Sequence, residues 1–347
     1  MNRHALVTGG AGFIGTVVVD RLVARGATVT IFDDLSGVTP ARSRELRARR
    51  GEAAGRVRFI DGDITDLEAL ESAMTDASEV IHLAANTDIA GGFADPRLDR
   101  DGCILGTWNV AEAMRRHGVT RIAYASSGVV YGQPGQIPTA ETYGPLRPAS
   151  HYAAGKLAGE AILSGFAHLY GWRAQAFRFG NTVGAGSDHG VVHDLVVKLL
   201  RDPSRLEILG DGHQAKPYIA VEDVADAVLW AIDHGPNAPF DGYNVATTGT
   251  LTVLDVAELV IRTLGLDPAS VELRPTGGAG GGGWPGDTPL VDFDTSRLRA
   301  LGWSPVHGPA AAVSRAAAGT RDRIVAEAIP LLTAAERRAE RTAVAAR

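Results

Sequence analysis

The sequence predicts an α/β fold: a doubly wound parallel (Rossmann) sheet with a smaller, mixed C-terminal substrate domain. Three observations lead there. From residue 4 to about 180, short β-branched runs alternate with longer segments of helical period, the pattern of βαβ units. The short runs are almost wholly apolar, as strands covered on both faces must be. The first of them leads straight into Gly9-Gly10-Ala11-Gly12-Phe13-Ile14-Gly15 and then into an apolar-periodic segment, the strand–turn–helix that opens a dinucleotide-binding unit.

In chain order, strands are expected at Ala5–Thr8, Thr28–Phe32, Val57–Asp61, Val80–Ala84, Arg121–Ser126 and Arg173–Phe179. Helices are expected over Thr16–Arg25, Leu98–His117 and Tyr152–Tyr170, where apolar residues recur every three or four positions. After Gly180 glycine and proline punctuate the chain, with a helix at Val191–Leu200. Tyr218–Ile232 returns to strand and helix, and Leu251–Leu264 reads as an amphipathic helix. Gly277–Gly286 is a glycine-rich loop, and the tail after Ala334 is a solvated helix. The implied division is a nucleotide-binding domain over 1–180 with a return segment at 216–247, a substrate domain over 181–215 and 248–330, and a tail at 331–347.

Composition removes other classes. The chain has 347 residues, 45% of them apolar and 21% charged, which suits roughly two soluble globular domains. No apolar run approaches the roughly 18 residues of a membrane span, and the N-terminus enters a strand without a signal-peptide core, so a cytoplasmic protein is expected. With 34 basic against 40 acidic residues the net charge is −6, which argues against nucleic acid or an anionic membrane as partner. One cysteine, Cys103, excludes an intrachain disulfide and a cysteine-cluster metal site. Only three basic residues are lysine, Lys156, Lys198 and Lys216, and an ammonium retained against an arginine-rich background marks places where a compact, tunable charge is wanted.

The glycines of Gly9–Gly15 allow a tight turn, close approach of backbone to a pyrophosphate, and close packing of helix on strand, with the phosphates at the helix N-terminus. Eighteen residues beyond Gly15, Asp33 ends the second strand, where a carboxylate accepts the adenosine ribose hydroxyls and repels a 2′-phosphate. NAD is therefore expected rather than NADP, with Arg42 and Arg44 close enough to soften the preference. The alternative for Asp33-Asp34-Leu35-Ser36-Gly37 is a plain polar turn, and for Asp63, the candidate partner of the adenine amino group, a turn residue.

Tyr152 and Lys156, four apart at the start of a helix, share one face. A tyrosine acts as a base near neutral pH only if its pKa falls from about 10 toward 7, and Lys156 together with a positive nicotinamide would supply that field. A third group is expected from the end of the fifth strand, where Ser127 is preferred over Ser126. Paired serines at such a place also serve as caps or turns.

These residues resemble the extended short-chain dehydrogenase/reductase family, and within it the nucleotide-sugar epimerases and dehydratases. The resemblance spans nearly the whole chain: Thr8–Gly15, His82-Leu83-Ala84-Ala85, Ser126-Ser127 with Val130-Tyr131-Gly132, Tyr152-x-x-x-Lys156, Arg178-x-x-Asn181, Gln214-x-Lys216-x-Tyr218-Ile219, and Val221-Glu222-Asp223-Val224 follow in family order. It implies Ser127, Tyr152 and Lys156 as catalytic residues. The implied NAD contacts are Gly9, Gly12, Phe13, Ile14, Gly15, Asp33, Asp34, Ser36, Gly37, Asp63, Ile64, Leu83, Ala84, Ala85, Ser126, Tyr152, Lys156 and Phe179. Substrate contacts are implied at Ser127, Tyr152, Asn181, Val192, Lys216 and Tyr218, with Asn181 and Lys216 near a diphosphate. Glu141 resembles an acidic residue found before the active tyrosine, and a homodimer is implied.

Three departures stand out. Gly102 stands where the family usually carries an asparagine, and a second phosphate-binding arginine is missing from 280–287. Family 4,6-dehydratases carry an Asp-Glu pair directly after the catalytic hydroxyl; here the pair is Gly128-Val129. Without a carboxyl group to eliminate water, reversible oxidation at one carbon is the expected chemistry, which favours an NAD-dependent nucleoside-diphosphate-sugar 4-epimerase. The alternatives are a related dehydratase, dehydrogenase or reductase, or an NAD-sensing protein without activity. His82 is expected to be a packed strand-end side chain, Cys103 a buried apolar one, and His189 with His193 not a metal site. Trp284 is equally a base-stacking residue or a loop anchor.

Overall fold

The computed structural model describes residues 3–38, 43–44, 55–87, 89–277 and 288–345. Arg42 and residues 278–287, Trp284 among them, lie outside the described residues. The nucleotide-binding half runs β1 (His4–Thr8), α1 (Phe13–Ala24), β2 (Thr28–Asp33), β3 (Val57–Asp61), α2 (Leu67–Ala73), β4 (Glu79–His82) and α3 (Ile89–Ala94). It continues through α4 (Gly106–His117), β5 (Arg121–Ser127), α5 (His151–Tyr170) and β6 (Arg173–Phe179). Then come β7 (Asn181–Val183), α6 (Val191–Arg201), β8 (Arg205–Ile208), β9 (Ala215–Lys216), β10 (Tyr218–Ala220), α7 (Val221–His234) and β11 (Phe240–Val245). The chain closes with β12 (Leu251–Thr252), α8 (Val253–Thr263), β13 (Glu272–Pro275), α9 (Ser296–Ala300) and α10 (Pro309–Ala345).

Seven strands form one sheet in the order β11-β6-β5-β4-β1-β2-β3, every neighbouring pair parallel. Chain order reverses between β1 and β4, which opens a crevice at the carboxyl ends of those strands, the place where ligands bind in such sheets. One apolar layer packs α1 and α7 on one face through Val18, Leu22, Val224 and Val228, against Val7, Ile31 and Phe177 of the sheet. A second packs α2, α4 and α5 on the other through Leu70, Val110, Met114 and Leu163. Each such side chain contributes about 1.5–3 kcal/mol on burial. A third core, with Leu195, Leu199, Val256, Val260 and Val313, joins α6, α8 and α10 with β8 and β10 beside the crevice.

The structure redraws several expected elements. The first helix starts at Phe13, so Phe13, Ile14 and Gly15 form its first turn. The fourth strand ends at His82, leaving Leu83–Ala85 as a loop. Leu98–His117 is helical throughout but not uniformly α: a turn at Arg97–Asp99 widens into a π-helical stretch, Arg100–Leu105, before α4 begins. Leu251 and Thr252 pair with β9 as β12, and Thr252 starts α8 through a reciprocal capping box with Asp255. The last helix passes unbroken from Pro309 through residue 330 to Ala345, so the expected tail continues a helix of the third core.

Candidate active site

The crevice is built first by glycines. Gly9 has φ +68°, and a Cβ there would stand 2.6 Å from the Ala84 backbone nitrogen, so only glycine lets the loops after β1 and β4 lie back to back. A Cβ on Gly15 would stand 2.1 Å from the Gly9 carbonyl oxygen. Gly12 caps α1 without a side-chain hydrogen bond, and the first turn carries no acidic residue. The amides at this positive helix end are thus left for an anion of the size of a pyrophosphate. Asp33 already holds this loop: its two carboxylate oxygens accept the Ala11 and Leu35 amides, each at 2.9 Å. Burial pushes its pKa up, against the pull of those two amides.

Around it, Asp34 accepts the Ser36 amide and hydroxyl, forming a turn with Gly37, and Asp63 accepts the Thr65 amide in another. Ile64 and Phe179 are both buried. These acidic residues are therefore turn residues, placed at or just beyond the carboxyl ends of β2 and β3.

The catalytic candidates come from two elements. β5 carries Ser127 at its end, and α5, capped by Ser150 accepting the Ala153 amide at 3.1 Å, carries Tyr152 and Lys156 on one face. The Ser127 hydroxyl lies near enough to the Tyr152 phenol to oppose the rise of its pKa. The Lys156 ammonium donates to the Ala125 carbonyl at 2.7 Å and lies 5.8 Å from the centre of the Tyr152 ring. Burial pulls the Lys156 pKa down. It raises that of Tyr152, nearby Cys103 and Asp99 adding to the rise and Ser127 opposing it. Burial thus works against the phenolate, and a positive charge beside the ring would oppose it.

Ser127 and Ser126 stand in different surroundings. Ser127 stays partly open and also accepts the Val129 amide at 3.4 Å, capping a 3-10 turn over Gly128–Tyr131. Ser126 is buried and donates its hydroxyl to Glu160 at 2.5 Å. Its side chain is thereby withdrawn from the expected cofactor contact, leaving only its backbone for that role.

Glu160 in turn holds Arg178 of β6 with two hydrogen bonds, 3.0 and 2.7 Å. Arg178 also donates to the Tyr131 hydroxyl and the Glu141 carbonyl, and Tyr131 donates to Asn244. The Glu141 carboxylate accepts the Asn244 amide at 2.8 Å, so its role here is to tie β11 to the loop before α5. Sequence reasoning quoted Arg178 only within a motif and did not see this network. The signal was a charged residue within the apolar β6 run and another on the buried face of α5.

On the opposite wall, Asn181 begins β7 exposed, paired in register with Tyr218 of β10. Lys216 donates to the Thr288 carbonyl. Val192 and Tyr218, expected as substrate contacts, have their side chains buried in the third core, because α6 and β10 turn them inward. They shape the wall from behind. His82 is packed between Thr8 at 2.7 Å and Thr107 at 3.1 Å, and burial lowers its pKa to about 3. Cys103 is buried in the π-helical stretch. His189 and His193 each contact the adjacent aspartate, and the described residues hold no group of three metal-ligating side chains. Lys198 pairs with Glu207 at the surface, and Arg44 is exposed.

The decisive comparison is with a family: a sequence model of the NAD dependent epimerase/dehydratase family matches residues 5–246. The chain belongs to that family. NAD is accordingly its cofactor, and the glycine cradle, the uncapped α1 terminus and Asp33 fit it. The UDP-glucose 4-epimerase of Mycolicibacterium smegmatis is 34% identical over 308 residues, 87% of this chain and 93% of the relative. The Thermus thermophilus UDP-glucose 4-epimerase, solved in complex with NAD, superposes with a TM-score of 0.78 at 32% identity, covering 92% of this chain and 99% of that one. A dTDP-glucose 4,6-dehydratase double mutant from Streptomyces venezuelae, solved with NAD, gives 0.79 at 25% identity, covering 91% of this chain and 96% of its own. The family thus holds both chemistries on one fold, and the site has to discriminate between them.

Proposed function

We propose that this protein is an NAD-dependent nucleoside-diphosphate-sugar 4-epimerase. The observation that carries the reading is the Ser127–Tyr152–Lys156 constellation followed by Gly128-Val129, which offers an acid–base hydroxyl at one carbon and no carboxyl group beside it for elimination. Relatives named for UDP-glucose 4-epimerisation support a uridine diphosphate hexose as the first substrate class to test.

Bound NAD would supply the hydride acceptor and donor, held by the Gly9–Gly15 loop, Asp33 and the Leu83–Ala85 loop. Tyr152 takes the proton of the sugar C4 hydroxyl and later returns it. Ser127 hydrogen-bonds that oxygen and fixes its distance from the phenol. Lys156, tied to the Ala125 carbonyl, keeps a positive charge near the ring and favours the phenolate. Asn181 and Lys216 on the opposite wall would meet the diphosphate. No helix among the described residues is long and apolar enough to cross a membrane.

A homodimer is proposed with the same reading. Its support is an exposed apolar face on α4 and α5, with Trp108 51%, Leu169 78% and Tyr170 49% exposed beside Leu105. A screen of UDP-, dTDP- and GDP-hexoses by NMR tests the function: the C4 epimer should appear with unchanged mass. A product lighter by one water, or NADH formed in step with product, would transfer the assignment to dehydratase or dehydrogenase.

A further inference from the structure

Position 128, directly after the reactive serine, is closed from outside its own strand. A Cβ built on Gly128 would stand 2.0 Å from the Cζ of Phe293 and 2.8 Å from both Cε atoms, so the tip of that ring points at the glycine Cα. Ordinary carbon contact begins at 3.4 Å, and any side chain at 128 would force ring or backbone back by more than an ångström. The ring is firmly seated. Phe293 is 5% exposed and packs with Val130, Tyr131 and Ala246, its centroid 5.8 Å from that of Tyr131.

Its backbone is fixed as well. The Thr139 amide donates to the Asp292 carbonyl at 2.9 Å and the Asp294 amide to the Thr139 carbonyl at 3.0 Å. The Asn244 side-chain amide bridges the Thr139 and Asp294 carbonyls, both at 2.9 Å. A segment 165 residues away in sequence is thus stapled beside Ser127 and presents an aromatic ring there.

We infer that Phe293 is a specificity-determining and positioning residue. By filling the space of a side chain at 128 it keeps that position glycine, holds the backbone that carries Ser127, and leaves no room beside the reacting hydroxyl for a carboxyl group at 128. It touches neither substrate nor cofactor in this role; it acts through Gly128. The inference rests on the epimerase reading for its consequence, the exclusion of elimination, whereas the steric coupling of 128 and 293 stands on geometry alone.

The test is a double-mutant cycle on the NAD-loaded enzyme, with Gly128→Ala, Phe293→Ala and the pair. Circular dichroism and melting establish folding, and two rates are read: formation of bound NADH in a single turnover with UDP-hexose, and steady-state epimer formation. Gly128→Ala should lower kcat by about 10²-fold with KM little changed, because a displacement of about 1 Å at a reacting group costs that much. Adding Phe293→Ala should return kcat to within about threefold of Phe293→Ala alone. If Gly128→Ala does not fold, recovery of folding by the second substitution is the same coupling read by melting. Wild-type turnover in Gly128→Ala, or no recovery in the double variant, overturns the inference. A wild-type enzyme that forms bound NADH but no C4 epimer defeats the epimerase reading and leaves the cycle interpretable.

Discussion

Removing the Glu160 carboxylate should be the most damaging single change away from the reacting groups. Glu160 and Arg178 form an ion pair at 2.7 Å with side chains only 6% and 9% exposed. In Glu160→Ala, Arg178 loses two of its four hydrogen bonds, keeping the Tyr131 hydroxyl at 2.9 Å and the Glu141 carbonyl at 3.1 Å, while Ser126 loses its acceptor. Leaving one charge of a buried pair uncompensated costs about 3–5 kcal/mol, a large share of the roughly 5–15 kcal/mol that holds a domain folded. Arg178→Met should cost a similar amount by stranding the carboxylate.

Removing both charges, as in Glu160→Ala with Arg178→Met, should cost about 3 kcal/mol less than the two losses together, since no charge is then buried alone. Urea unfolding of the four proteins at pH 7 measures this directly. A loss below about 1 kcal/mol in Glu160→Ala, or simple additivity in the double variant, would refute the reading of a buried, coupled pair.

Other expectations follow from the same geometry. Asp33→Ala should weaken NAD⁺ by about 1.5–3 kcal/mol, since a charged acceptor of the ribose and the tie to the Ala11 amide are both lost; calorimetry that finds parental affinity would make Asp33 a turn residue only. Tyr152→Phe should bind NAD⁺ and substrate but lose about 10²–10⁴-fold in kcat, and a fully active variant would remove Tyr152 from the mechanism. Burial already raises the phenol pKa, so activity should fall on the acid side as the phenol protonates, and Lys156→Met should move that limb to higher pH; an unmoved limb would deny Lys156 its electrostatic role. His82 is held neutral, with a folded-state pKa of about 3 against an ordinary 6.5, so its contribution is complete above pH 6.5. Below that, stability should drop by about 1.4 kcal/mol per pH unit toward pH 3 as the unfolded chain takes the proton, and His82→Gln should flatten this slope in urea titrations at pH 7, 6 and 5.

Most of the strand pattern and the nucleotide loop were legible in sequence because both depend on local rules. Apolar runs must lie in a covered sheet, and Gly9 and Gly15 announce close backbone approach whatever lies beyond. The Tyr152 to Lys156 spacing needs only a helix to bring the two side chains together. What stayed hidden depends on partners distant in sequence. The interruption at Arg100–Leu105 carries no proline and reads as continuous helix, since π-helical widening is not written in hydrophobic period. Val192 and Tyr218 are expected substrate contacts, yet α6 and β10 turn their side chains into the third core, which no spacing discloses. Ser126 and Ser127 are chemically identical in sequence, and only Glu160 of α5 separates a buried, tethered hydroxyl from a partly open one. The ring of Phe293 beside Gly128 is the extreme case, a contact between residues 165 apart.

The central claim is that one carbon is oxidised and re-reduced on a cofactor that stays bound. A UDP-hexose deuterated at C4 tests it most directly. The account predicts deuterium at C4 of the product with inverted configuration, unchanged product mass, and no NADH accumulating in solution. Deuterium exchanged into solvent, a product lighter by one water, or stoichiometric free NADH would contradict it.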